Sequence, residues 1–322
     1  MVFTTFERRS VNVSSIDAFL GKPPVEGLRY TGLMESSLYE FTAWMACLGY
    51  IGLAILRLRR PPTLTEASSH RAAGGPESGA GHATGSHALL MAALTLVLTL
   101  HGLTLLPAWF SEEAFRFGFA SSVSWTLWLA VLLMWVESFF QRLPRITALI
   151  FPVAALGCLL PLWFGGIVIM EQPPALFRAH ILLAMLAYSA FAVAAAHAVL
   201  MMSLENALHR GGARSPWWAD MPALLTLDQT LVRVTWAGFV LLTFTLLSGV
   251  WVNLWLDHPP LKMDHKTFFT LATWVMVAVF FVGRRARGWR GRVAAKFALA
   301  GFGLLLLAYV GSRFVLEVLL HR

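Results

Sequence analysis

Pro173–Glu205 reads PPALFRAHILLAMLAYSAFAVAAAHAVLMMSLE, and it decides what kind of protein this is. From Ala179 to Ser203 it holds no charged residue, only two histidines and a Tyr188–Ser189 pair. About 20 apolar residues cross a bilayer as a helix, so the run is long enough to span. Pro173 and Pro174 stand where a helix can begin, and Glu205 opens a polar stretch containing Arg210 and Arg214. His180 lies about one turn inside the starting edge. A polar ring at that depth needs a partner, because an unsatisfied donor in lipid costs several kcal/mol.

The rest of the chain has the same character. Of its 322 residues, 57% are hydrophobic and 13% charged, against about 25% charged in soluble domains. The expected class is therefore an all-α polytopic membrane protein, a bundle of eight transmembrane helices. The expected spans are 38–56, 88–109, 121–140, 146–164, the opening stretch, 231–255, 265–283 and 293–320. Residues 1–33 lack the apolar core of a signal peptide and are expected to be a disordered extension, with Met34 the expected start. Residues 34–322 would form the transmembrane domain. Within it, 61–87 (PPTLTEASSHRAAGGPESGAGHATGSH) has the composition of a flexible linker. Its histidines are irregularly spaced and make a poor metal site.

The net charge of +8 does not imply nucleic acid, because the basic residues cluster at span ends. Arg57/Arg59/Arg60, Arg142/Arg145, Arg210/Arg214 and Arg284/Arg285/Arg287/Arg290/Arg292 follow spans one, three, five and seven. The alternate loops are weakly charged or acidic. The positive-inside rule then puts the linker in the cytoplasm and both termini outside, in the periplasm of an inner membrane. Cys47 and Cys158 each lie in an apolar run and belong to no CxxC pair, which predicts packing.

Intramembrane ionisable groups point to function by default. His101 lies about 9 Å and His180 about 7 Å below the same boundary, at 1.5 Å per residue. Two imidazoles at one depth on separate helices suit the two faces of an upright macrocycle. The plainer alternative is that each only bonds a neighbouring helix. His265 stands at the mouth of span seven. His197 is about 25 Å along the helix from His180, too far to share an iron; interhelical packing is its expected role, with a second metal or haem site as the alternative. Trp125 and Trp128 share a helix face; they either line a porphyrin or pack helices. Arg178 and Lys266 either meet a propionate or act as ordinary interfacial charges. Asp264 is placed to cap span seven.

The residues resemble a family at this point. HILLAMLAYSAF, LDQTLVRVTWAGFVLLTFTLLSGVWV, LKMDHKTFFTLATWVMVAVFFVGRRARGWRGR and AGFGLLLLAYVGSRFVLEVL look like the haem-handling cytochrome c assembly membrane proteins of the CcsA, CcmC and HemX types. The YpjD-like inner membrane branch is the nearest likeness. The resemblance is good from about Leu176 onward and looser before it. It implies an eight-helix bundle that binds b-type haem near the outer face for cytochrome c maturation. It matches His101 and His180 to axial ligands, and Asp264, Lys266 and Trp274 to the span-seven motif. The tryptophan-rich WWD segment of transporting members has no outer-face counterpart; the sequence WWAD at 217–220 falls in an expected cytoplasmic loop.

The combined reading is a haem-binding protein of cytochrome c assembly or haem delivery at the periplasmic face. Its partners would be haem, membrane lipids and other maturation proteins, with no nucleic acid. No nucleophile–base pair, phosphate loop or carboxylate pair is evident, so no enzymatic activity is expected. Two rivals stand beside it: an accessory subunit of a transporter or ion channel, and a haem-carrying electron-transfer subunit.

Overall fold

The computed structural model describes residues 25–59, 80–110, 114–140, 148–164, 166–210, 222–260 and 264–308. The chain divides into two compact units, 1–41 and 42–322. In the first, Val25–Phe41 is helical; everything below concerns the second. The elements in order are α1 (Val25–Arg59), α2 (Ala80–Phe110), β1 (Ala114–Arg116), α3 (Phe119–Glu137), α4 (Ile150–Trp163), β2 (Val168–Glu171), α5 (Ala175–His209), α6 (Leu224–Trp255), α7 (His265–Arg287) and α8 (Arg292–Leu306).

Among the described residues the eight expected segments correspond to eight helices, of which six are long and apolar enough to cross a membrane. The other two are α4 and α8. At 1.5 Å per residue the 14 residues of α4 reach about 21 Å, short of a hydrocarbon core of about 30 Å. Helix α8 has 15 described residues, and the remainder of the expected span, 309–320, lies outside the described residues. Two expected boundaries also move. Helix α1 begins at Val25, inside the stretch expected to be disordered, and α2 at Ala80, inside the expected linker. Extending a helix from a formed span costs little, since each added residue brings its own hydrogen bond. Residues 1–24, 60–79 and the WWAD sequence fall outside the described residues.

The outward faces are apolar. Leu247, Trp251, Val279 and Val282 are each about half exposed or more, which is what a helix facing lipid presents. The inward faces carry small residues. On α5, Ala187, Ala190, Ala194, Ala195 and Ala198 are buried, and α6 approaches so closely at Gly238 that a β-carbon there would stand 3.1 Å from the Phe191 ring. Hydroxyls within the spans turn back on their own helices, as Thr235 does to the carbonyl of Leu231. Cys47 and Cys158 are free and buried, in the packing role expected of them.

Each end of the bundle is tied by a polar device. At one end β1 and β2 pair antiparallel, joining the α2–α3 and α4–α5 connections. Phe117 extends the clip by donating its N–H to the Ile167 carbonyl at 2.9 Å. Phe115 and Phe117 are buried while Arg116 between them is exposed, the alternation of a half-covered strand. At the other end the buried Asp228 of α6 accepts from Arg284 at 3.0 Å and from the Gly291 N–H at 2.8 Å. Arg284 also donates to the Trp289 carbonyl at 3.0 Å. One carboxylate therefore fastens α6, the end of α7 and the turn into α8.

Candidate functional site

Beneath the β1–β2 clip, α5, α6 and the start of α7 enclose a cavity of about 320 Å³. Phe117 and Ile169 come from the clip region, His180, Met185 and Tyr188 from α5, and Leu242, Thr245 and Gly249 from α6. Asp264 and Lys266 line it from the start of α7. The volume falls at the lower end of the range for small-molecule sites, and the walls are mainly apolar with few polar groups, as such sites are.

His180 is half-buried on this cavity, and hydrogen accounting sets its tautomer. Ser248 donates its hydroxyl hydrogen to the Thr245 carbonyl at 3.1 Å, and a carbonyl can only accept. The Ser248 oxygen is then the acceptor for His180 Nδ1–H at 2.9 Å. Nε2 would then carry the lone pair of a ring that lines the cavity. Gly249 is what lets the ring sit there: a β-carbon at that position would be 3.2 Å from His180 Cε1. Asp264 caps α7 as expected, accepting from the Thr267 N–H at 2.9 Å and its hydroxyl at 3.0 Å. That cap fixes where α7 begins, and so where Lys266 lines the cavity.

His101 is placed differently. It is fully buried, and both ring nitrogens are engaged: Nδ1 with Tyr50 Oη at 3.1 Å and Nε2 with Ser124 Oγ at 3.0 Å. Tyr50 also meets the ring edge-on, with centroids 5.7 Å apart. His101 does not line the cavity, so the structure does not bring His101 and His180 to a common space. Its bonds join α1, α2 and α3, the interhelical arrangement that was the alternative reading of these histidines.

The other expected site residues sort in the same way. Trp125 is buried against Trp109, with centroids 4.9 Å apart, and Trp128 donates to the Leu98 carbonyl at 2.8 Å. Both pack α3 against α2, and neither lines the cavity. Arg178 and His265 are not among the lining residues either, and His265 is exposed. Lys266 alone of the expected propionate partners lines it. Trp274 ties α7 to α6 by donating to Thr243 Oγ1 at 2.9 Å. His197 donates Nδ1–H to the Val193 carbonyl at 2.9 Å and faces Glu137 at 3.4 Å through Nε2, so it joins α5 to α3. Among the described residues no group of three or more His, Cys, Asp or Glu is placed to hold a metal ion.

Ser248 and Gly249 went unnoticed as site residues in the sequence. They are the one polar and small pair in the apolar tract LLSGVWV, which is the signal that could have found them. The clip was missed for a similar reason: three or four residues in a loop, betrayed only by the alternation Phe115, Arg116, Phe117.

The donor set fits one face of a haem. His180 would offer an imidazole nitrogen, most of the lining side chains are apolar, and Lys266 would offer a cation to a carboxylate. Among the described residues no second histidine lines the cavity.

Comparison with known proteins adds an independent line. The family model described as cytochrome C assembly protein matches residues 89–320. The chain is 30% identical over 152 residues to the inner membrane protein YpjD of Escherichia coli, covering 47% of this chain and 55% of that protein. It is 39% identical over 88 residues to the cytochrome c biogenesis protein CcsA of Synechococcus elongatus, covering 27% of this chain and 26% of that protein. The chain thus spans about half the length of YpjD, and less of CcsA. No solved structure matches.

Proposed function

The chain belongs to the cytochrome c assembly protein family, and from that premise we propose that it binds haem in the α5–α6–α7 cavity and takes part in haem delivery for cytochrome c maturation. The observation that carries this reading is the imidazole of His180 on the wall of a mainly apolar cavity, its Nδ1 held 2.9 Å from Ser248 Oγ. Bound haem would supply an iron centre able to accept that lone pair. The chain's own contribution is binding and orientation. Ser248 fixes the ring's tautomer and angle, Gly249 gives it room, the clip residues Phe117 and Ile169 keep water from one side, and Lys266 offers a cation to an acidic edge. No bond is made or broken by the protein in this reading, and it is not an enzyme.

The setting follows from charge. The arginine-rich ends of α1, α5 and α7 face the cytoplasm by the positive-inside rule, so the cavity opens toward the periplasm of an inner membrane. The name of the YpjD relative supports that membrane. A reporter fused after Arg322 is expected to read as external; an internal signal would reverse the orientation.

The deciding experiment is a pyridine haemochrome assay on purified protein, with and without added haemin. The expected result is one b-type haem per chain. A protein with no Soret band even after haemin is added would remove the proposal and leave the transporter-accessory alternative. A finer check is Ser248→Ala. Losing the hydrogen bond behind a ligating imidazole costs roughly 10–100-fold in affinity, so haemin titration of this variant should show binding weakened by about tenfold or more. Unchanged affinity would detach Ser248 from the site.

A further inference from the structure

We infer that a second site, at the opposite end of the bundle, binds the phosphodiester headgroup of an anionic phospholipid. It is a recess between α6 and α7 lined by Val232, Arg233, Trp236, Phe281, Arg284, Arg285, Gly288 and Arg290. Half of that lining is arginine, and the four guanidinium groups are not equivalent. Arg284 is committed to Asp228 at 3.0 Å. Arg292, just beyond the recess, is committed to Glu205 at 3.6 Å and Asn206 at 3.0 Å. Arg233, Arg285 and Arg290 are exposed and have no acidic partner among the described residues. The positive-inside rule asks only that cations lie on this side; it does not ask three of them to converge on one recess.

The backbone produces that convergence. Gly288 ends α7 in the left-handed region, with φ of 68°, and Gly291 follows with φ of 59°. These two residues turn the chain back, so that Arg290 joins Arg285 of α7 and Arg233 of α6 on the same recess. A side chain at either position would be strained there.

The occupant is read from what surrounds the charges. Trp236 is 53% exposed and meets Phe281 edge-on with centroids 5.0 Å apart, making an apolar floor beside the cations. Above it α6 runs on with exposed Phe244 and Leu247. A free phosphate would use the arginines and gain nothing from this apolar track. A diacyl phospholipid uses both, its phosphodiester on the guanidinium forks and its chains along the track. Basic pockets between spans on the cytoplasmic side are the kind of site that anionic headgroups take. This inference is independent of the haem reading, because it shares no residue with the cavity at the other end.

The test uses the full chain, purified in detergent and moved into phosphatidylcholine vesicles with or without phosphatidylglycerol. Bound lipid is counted by native mass spectrometry, and the thermal midpoint is followed in parallel. Wild type is expected to retain phosphatidylglycerol selectively and to melt higher in its presence. Arg233→Gln, Arg285→Gln and Arg290→Gln combined should bind it about 100-fold more weakly, from roughly 1 kcal/mol per basic residue. A charge-matched control, Arg59→Gln, Arg210→Gln and Arg287→Gln combined, should behave as wild type. Equal loss in the control would show bulk electrostatics and overturn the site, as would wild-type binding by the recess variant. Inorganic phosphate alone matching the lipid's stabilisation would overturn the lipid assignment. Should the triple variant not fold, the wild-type comparison of the two vesicle types still decides: no preference for phosphatidylglycerol ends the proposal.

Discussion

Replacing His180 with alanine is expected to strip the purified protein of haem. The affinity loss should exceed the roughly 100-fold upper end seen when only a ligand's hydrogen-bond partner is removed. The reason is local: among the described residues His180 is the histidine lining the cavity, and alanine removes its imidazole nitrogen. The same experiment on His101 has the opposite expectation. His101→Ala should keep its haem and lose stability instead, because Tyr50 and Ser124 would be left as buried hydroxyls short of a partner. Each such orphan costs about 1–3 kcal/mol. Haem content by pyridine haemochrome and melting by intrinsic fluorescence separate the two outcomes. Haem lost equally from both variants at unchanged stability would mean that His101 reaches the iron after all.

A large stability effect is also expected far from the cavity, at Asp228. Asp228→Ala removes the acceptor for Arg284 and for the Gly291 N–H together, and so releases α6 from α7 and from the turn into α8. Breaking a buried ion pair from one side costs about 3–5 kcal/mol; the figure here belongs near about 3 kcal/mol because Arg284 is partly open to solvent. Asp228→Asn should recover part of that, since an amide oxygen can still accept from Gly291. A melting profile of Asp228→Ala indistinguishable from wild type would show that apolar packing alone holds this end together.

Much of the helical layout was legible because it rests on two strong signals, apolar length and flanking arginine. Asp264 as a cap and the two cysteines as packing residues were legible for the same kind of reason, being local properties of the chain. The pairing of His101 with His180 was not. Rise per residue gives depth along a helix axis, but not which neighbour that face of the helix meets. His101 turns toward Tyr50 on α1 and Ser124 on α3, whereas His180 turns toward Ser248 on α6. Matched depth is therefore weaker than adjacency. The clip was hidden for another reason: its partners are about 50 residues apart, and its strands are too short to raise any periodic signal above the loops that carry them.

The hydroxyl behind His180 has a consequence for how tightly anything would be gripped. A carboxylate in that position pulls on the ring proton, makes the imidazole more basic and strengthens the bond it gives to a metal. Serine is neutral, and its own hydrogen is already turned away toward Thr245. The ring is steered without being made a stronger electron donor. Such a holder aims its cargo well and lets go of it readily, which suits a protein that passes an iron porphyrin onward better than one that keeps it for repeated electron transfer.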